Sequence, residues 1–426
     1  MTGTPLGTDW VTYHYDYQRS GSFPSTLVIS SPTPKWKYNV DAAVYAEPLV
    51  YRGSVLVVTE NDSVYSISIA AARPVWRTNL GTPEPRTSLP CGNINPVGIT
   101  GTPAIDPATS TLYLVAMLKD QGYRLFALST DSGSVRWSVP LNTTGFDYHI
   151  QQERGALALA NGLVYIPFGG FYGDCGSYHG WVMSYPEAGT GSLGSYKVPS
   201  GREAGIWSTG GVEVEPSGSL LVSTGNGGST TTFDYGESVI RLNPDLTVAG
   251  YFAPANWFSL NAIDEDVGSM SPVQFSNGAI FQAGKEGVGY LLNGARLGGI
   301  GGEVYSLHLC SGAYGAGAVE GSAAFIPCTD GLYKITVSPD SSTFKVAWSF
   351  TGLYSGPAIL AYGGVWFVDV NTGAFYVLNE TSGHMLLKDQ LGDVVHFTTP
   401  SAGEGFVFVA ATDTVYCYGP GGTVNS

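Results

Sequence analysis

The chain has 426 residues and a mass of 44.8 kDa, and its 34 acidic against 19 basic side chains give a formal charge of −15, which argues against nucleic acid as a partner, since phosphate recognition rests on clustered Lys and Arg. Charged residues make up 12% and apolar residues 43%, against roughly 25% charged in an average soluble protein, so the chain can bury a large core and disorder is excluded. No apolar run approaches the roughly 18 residues of a membrane-spanning helix.

With 58 glycines and 25 prolines, the composition points to many short strands punctuated by turns. In chain order, a lone strand comes first, KWKYNV from Lys35. One pattern then recurs eight times, a turn glycine or serine followed by a run of apolar and small residues. The copies are GSVLVVTE from Gly53, STLYLVAML from Ser110, GLVYIPFGG from Gly162, GSLLVSTGN from Gly218, GAIFQAGK from Gly278, GSAAFIPCT from Gly321, GGVWFVDV from Gly363 and GFVFVAAT from Gly405. They are spaced by 57, 52, 56, 60, 43, 42 and 42 residues. Each is followed by a hairpin partner, such as SVYSISI or GAFYVLNE, and most are preceded by a segment with proline or small residues, such as AEPLV at Ala46 or SGPAIL at Ser355. A fourth strand closes each unit, as in VWRTNL from Val75, RWSVPL from Arg136 and VAWSFT from Val346.

Four strands per 42 to 60 residues is the arithmetic of a propeller blade. The expected fold is all-β, an eight-bladed β-propeller of four-stranded antiparallel blades forming one domain over 1–426. The outer strand of the last blade is 34–40 and the blades fall at about 41–81, 99–141, 155–199, 207–253, 268–309, 315–351, 355–391 and 397–420. The last unit ends without a fourth strand, so the N-terminal strand is expected to complete it and hide the open edge. Paired β-sandwiches or a β-solenoid would explain neither the spacing nor the missing strand. Trp36, Trp76, Trp137 and Trp348, at equivalent fourth-strand positions, are expected to pack between blades.

The segment ALSTDSGSVRW (Ala127 to Trp137) resembles the tryptophan-docking repeat of the pyrroloquinoline-quinone-type (PQQ-like) eight-bladed propellers, and VLNETSGHMLL (Val377 to Leu387) is a weaker copy with leucine in place of tryptophan. The resemblance covers essentially the whole chain and identifies a fold rather than a reaction. It implies either a quinone-dependent alcohol or sugar dehydrogenase, with PQQ and calcium as cofactors, or a cofactor-free scaffold such as those assisting outer-membrane protein assembly. The sequence lacks the adjacent Cys-Cys pair that covers the quinone in many of those dehydrogenases. It also lacks a phosphate-binding glycine loop, a G-x-S-x-G elbow and zinc-type cysteine spacing.

In a propeller, the loops leading into the first strands share one face with the loops joining second to third strands. Cys91, leading into blade 2, and Cys175, in the second-to-third-strand loop of blade 3, both fall on it, as do Cys310 and Cys328 around blade 6. Bridges Cys91–Cys175 and Cys310–Cys328 are expected, with Cys417 free and buried; reduced, packed cysteines are the alternative. Paired cysteines and sparse charge favour an exported, secreted or periplasmic protein whose signal is not present in this sequence, because MTGTPLGTDW has neither a basic start nor an apolar stretch; a cytoplasmic protein is the other reading.

The same face gathers the candidate functional residues, as loops on a rigid scaffold commonly do. Leading into blade 3 are Tyr148, His149, Gln151, Gln152, Glu153 and Arg154; leading into blade 5 are Asp264, Glu265 and Asp266. Further lead-in positions are Glu47, Asn93, Asn95, Glu203, Trp207, Tyr314, Tyr354 and His396, and the long second-to-third-strand loops of blades 3 and 4 add Tyr172, Asp174, His179, Asp234 and Tyr235. His149, Asp264 and Asp266 are the candidate catalytic groups, with the two aspartates also the candidate calcium ligands. Trp207 and Arg154 are the candidate cofactor contacts, by stacking and by gripping a carboxylate or sugar hydroxyl. Tyr148, Gln152, Glu47, Asn95 and His396 are candidate substrate contacts. Each has a structural reading beside it: a solvated acidic turn, a structural histidine, an arginine salt-bridged to Glu153, Glu203 or an aspartate, a tryptophan packed on the channel floor. Three functions follow: an exported propeller whose axial pocket binds a small polar ligand, with carboxylate and histidine chemistry available; a PQQ- and calcium-dependent dehydrogenase; or a scaffold acting through protein contacts.

Overall fold

The structure, a computed structural model, describes residues 8–421. Residues 1–7 and 422–426 lie outside the described residues, and with them most of the N-terminal stretch on which the export-signal expectation turns.

Eight small antiparallel sheets are arranged as blades of a ring. Blade 1 comprises Leu49–Tyr51, Ser54–Val58, Ser63–Ser68 and Arg73–Asn79. Blade 7 repeats it with Ile359–Ala361, Gly364–Asp369, Ala374–Asn379 and Met385–Gln390. The second and third strands are buried on both faces between neighbouring blades, which is why they read as continuous apolar runs, whereas the outermost strands alternate half-buried and exposed residues with period two. In blade 8, Pro32–Asn39 pairs antiparallel with Thr414–Pro420, in the register Asn39 to Thr414 through Pro32 to Pro420. The two chain ends thus share one sheet, as expected, and the ring has no open edge. Blade 4 carries a fifth strand, Gly299–Ile300, which adds in parallel to Val248–Ala253.

The outer-strand tryptophans dock on the turn of the next blade. Trp36 donates its indole N–H to the Ile69 carbonyl at 3.0 Å and Trp76 to the Thr130 carbonyl at 2.8 Å. In blade 1 the receiving turn has no glycine and Ala72 takes the positive φ, +51°; in blades 2 and 3 the turn glycine is required. A Cβ on Gly133 would collide with the Trp76 ring and one on Gly189 with Trp137, and both glycines have positive φ, +70° and +77°.

Residues 8–31, which carry no repeat, close the ring's axis at the end opposite the lead-in loops. They run around the innermost strands in turn. Trp10 and Val50 exchange backbone hydrogen bonds (2.8 and 2.9 Å), Ile105 N–H donates to Val11, Val214 to Tyr17, Val319 to Ser20 and Leu360 to Gly21. Blades 1, 2, 4, 6 and 7 are thereby tied to one plug. At its centre Arg19, 2% exposed, donates all five of its N–H groups, to Gly210 O, Thr12 Oγ1, Tyr13 O, Leu157 O and Val212 O at 2.8–3.1 Å.

Candidate functional site

At the open end of the axis the lead-in loops converge. The loop into blade 4 places Trp207 beside Tyr314 of blade 6 and Phe397 of blade 8, ring centroids 6.4 and 6.3 Å away. Tyr314 in turn stands 6.0 Å from Tyr354. These rings, with the guanidinium of Arg154 lying 4.6 Å over Phe397, form an aromatic mouth on the axis.

Beside Trp207 lies a compact charge network. Helix Trp257–Ile263 ends in a left-handed residue, Asp264, and the chain turns there to deliver Asp266 inward. Lys285, from the second-to-third-strand loop of blade 5, places Nζ 2.9 Å from Asp264 Oδ1 and 2.8 Å from Asp266 Oδ2, and 5.9 Å from the Trp207 ring. The other oxygen of Asp266 accepts the Asn226 backbone N–H at 2.6 Å, and Glu237 accepts Val267 N–H at 2.6 Å. Glycine makes the fit possible: a Cβ on Gly225 would strike Asp266 Oδ1 and the Trp207 indole nitrogen, and one on Gly284 would strike the Asp266 carbonyl. Two carboxyls thus hold one ammonium, and a third, Glu237, feels its charge. Burial pushes Asp266 up to about 6 against the pull of Lys285, and pushes Glu237 well above the usual range. Lys285 itself is raised, because Asp266 and Asp264 outweigh its burial.

Beneath the mouth a small recess, with room for about one water-sized group, is lined by Tyr13 of the plug, Tyr45, Thr100, Thr102, Arg154, Thr209, His396 and Phe397. On the opposite face an open groove of about 1550 Å³ runs between the plug and blades 2 to 4, with Asp106 and Glu187 on its walls.

The sequence-derived residues divide by position. Trp207, Arg154, Asp266, Asp264, Tyr314, Tyr354 and His396 reach the axis. His149 stands on the outer rim: its side chain is half exposed, its Nδ1 pairs with Asp147 at 2.9 Å, and its ring stacks on Tyr148 at 3.9 Å. Asn95 is exposed and accepts Arg86 N–H, and Asn93 is exposed as well. Gln152 is buried in a two-residue strand against Gly169, while Gln151 donates to His179 O at 2.7 Å and accepts His179 N–H at 2.8 Å, fixing the long loop of blade 3. Within that loop Asp174 accepts the Tyr178 hydroxyl and Tyr172 is 71% exposed. Glu47 is buried and accepts the His14 backbone N–H of the plug at 2.7 Å. Glu153 accepts Gly101 N–H, Glu203 pairs with Arg202, and Asp234 caps Gly236. Glu265 is half-buried behind Asp266. Tyr235 packs in an aromatic cluster with Phe233 and Tyr251.

Both bridges, Cys91–Cys175 and Cys310–Cys328, are formed, and Cys417 is free and buried. Among the described residues the only cluster with metal-ligand geometry is Cys310, Cys328 and Asp330, whose thiols are consumed by their own bridge. Asp264 and Asp266 already hold Lys285 between them, so the donor set does not suit calcium. The Trp207 face and the Lys285 and Arg154 cations do suit a planar, anionic ring.

Aromatic rings and a carboxylate–ammonium pair gathered by the lead-in loops at one end of the axis, with a plug at the other, complete an eight-bladed β-propeller. The chain has the fold of the PQQ-like, quinoprotein-type eight-bladed propellers. The family model described as "Outer membrane protein assembly factor BamB" matches residues 25–228. The quinohemoprotein alcohol dehydrogenase of Pseudomonas putida HK5 superposes with a TM-score of 0.77 at 15% identity, over 98% of this chain and 81% of that one. A europium-containing methanol dehydrogenase gives 0.75 at 12% identity over 98% and 99%, and BamB from Moraxella catarrhalis 0.61 at 10% over 93% and 99%. At these identities the likeness is one of fold. No curated protein matches the sequence significantly.

Sequence reasoning missed Lys285, Asn226, Glu237 and the plug. Lys285 was within reach: it sits in a second-to-third-strand loop, the class of loop that placed Cys175 on this face.

Proposed function

We propose that the chain is an exported propeller that binds a small polar ligand at its axial mouth, stacked on Trp207, and that Asp266 exchanges a proton with it. The observation that carries this reading is the Asp266–Lys285 pair, 2.8 Å apart, on the wall of the aromatic funnel. A buried carboxyl near 6 holds or releases a proton close to neutrality, the condition for general acid–base work. Lys285, kept charged by two carboxylates, stabilises negative charge on a ligand oxygen. His149, on the rim, takes no part in this scheme. Two disulfides support the extracytoplasmic reading. Among the described residues no helix is long and apolar enough to cross a membrane.

The test is thermal unfolding with a panel of sugars, hydroxy acids and PQQ, the last with and without calcium. At least one is expected to raise Tm saturably, and Asp266→Asn or Lys285→Met to remove that rise. A panel without effect, or an Asp266→Asn protein that responds like the wild type, overturns the proposal.

The dehydrogenase reading draws support from Trp207 and from the quinoprotein fold neighbours. Trp207, Lys285 and Arg154 would hold the quinone, which when bound accepts electrons from an alcohol, while Asp266 would take the hydroxyl proton. Dye reduction by alcohols after reconstitution with quinone alone, independent of calcium, is the outcome this donor set supports.

A further inference from the structure

Two arginines of this chain are treated in opposite ways. Arg19, in the plug, has an acceptor for every N–H, which is how a fold normally satisfies a buried guanidinium. Arg154, only partly exposed and lining the axial recess, makes no hydrogen bond or salt bridge to any described residue; its contact is the Phe397 face. Burial lowers it to about 10, so the charge sits there at a cost. The carboxyl that most influences it, Glu60, is committed to Gly98 N–H at 2.6 Å and is itself pushed up to about 7 by burial, so below neutrality it is not a fixed counter-charge.

The walls around Arg154 offer hydroxyls and no carboxylate. Thr100 is 3% exposed; its Oγ1 meets no partner in full hydrogen-bond geometry, and the acceptor it faces is the Glu60 carboxyl. Thr102 Oγ1 accepts Glu47 N–H at 2.9 Å, which leaves its own O–H free to donate. Thr209 and Tyr13 pair with each other at 2.7 Å, closing the bottom. Burial and the nearby Arg154 lower His396, which therefore remains neutral beside the guanidinium. A guanidinium without a partner, flanked by the Thr100 and Thr102 hydroxyls, of which only Thr100 has an acceptor at hand, forms the complement of an anion. The room at the centre is that of one water-sized group.

We infer that Arg154, with Thr100 and Thr102, forms an anion site beneath the axial mouth that takes one small monovalent anionic group, a carboxylate or a halide. The inference rests on reading the axial funnel as a ligand pocket and gives that ligand a chemical class: it carries a carboxylate that reaches past Trp207, unless a free ion fills the site. A ligand anchored in this way would present its remaining polar groups to Asp266 and Lys285.

The test is thermal unfolding of the full chain at pH 6 and constant ionic strength, with bromide, formate and glycolate exchanged against sulfate. Wild type is expected to show a saturable rise in Tm, and Arg154→Gln to weaken the apparent Kd at least about tenfold, the value of a charge-assisted hydrogen bond. Thr100→Val should weaken it less. Equal responses to bromide and formate identify a free ion as the occupant, and a response confined to organic acids identifies the head of a larger ligand; either supports the site. A wild type with no saturable response, or an Arg154→Gln protein that responds unchanged, overturns it. Should Arg154→Gln not fold, Thr100→Val and a bromide-soaked crystal decide: an anomalous peak within hydrogen-bond distance of Arg154 supports the site, and its absence overturns it. Asp266→Asn measured alongside keeps the two readings apart, since loss of the sugar, hydroxy-acid or quinone response with a preserved bromide response bears on the mouth alone.

Discussion

Arg19 shows how much one side chain can be asked to organise. Its fork joins the plug to the lead-in segment of blade 3 and to the last residues of the loop into blade 4, through Leu157, Gly210 and Val212. Arg19→Met would leave buried carbonyls without donors, at about 1–3 kcal/mol for each group stranded. A loss of at least about 3 kcal/mol is expected, measurable as a lower midpoint in urea. Nothing in the sequence flagged Arg19, because the plug has no periodicity and an arginine among tyrosines reads as a surface residue. The axial candidates were legible for the opposite reason. Trp207, Arg154 and Asp266 each sit just ahead of an innermost strand, and the repeat alone fixes where those positions point. His149 was misleading on the same logic, since a lead-in loop begins at the rim before it reaches the axis, and residue 149 is still on the outer part.

Blades are held to one another by small devices that the sequence shows well. Gly133 both takes a positive φ and leaves space for Trp76, so Gly133→Ala is expected to cost roughly 1–2 kcal/mol from backbone conformation alone and more from the displaced ring. Trp76→Leu should relieve part of that added cost, and a double-mutant cycle on thermal stability would return a coupling of about 0.5–3 kcal/mol. The bridges act at longer range. Cys91–Cys175 spans 84 residues and Cys310–Cys328 spans 18, so chain entropy predicts about 4–5 and about 3 kcal/mol. Replacing each pair by serine should lower Tm more for the first than for the second. A loss in the reverse order would point to strain or residual structure outweighing loop length.

The whole molecule carries many buried carboxyls whose protonated form the fold prefers. Burial raises Glu60 to about 7, Asp62 to about 9 and Glu187 to about 7, and holds Glu47, Glu153 and Glu213 well above their ordinary values. A carboxyl raised in the folded state keeps its full contribution below its unfolded value and loses it as pH climbs through the folded one. His14, His179 and His396 are lowered by burial and act the other way, costing stability below about 6.5, but they are fewer. The net expectation is a Tm that falls between pH 5 and pH 8, to be checked by calorimetry across that window. A Tm that rises across it would mean that these carboxyls are hydrated in solution.

Sharing the last blade between both termini sets the order of manufacture. Strand Pro32–Asn39 is synthesised on the order of 20–80 s ahead of its partner Thr414–Pro420 at usual translation rates. Until then the early strand has no mate and seven blades stand as an open fan with bare flanks. Holding that nascent fan soluble is a task for chaperones, and a ribosome-stalled chain that stops short of Thr414 should be their best client.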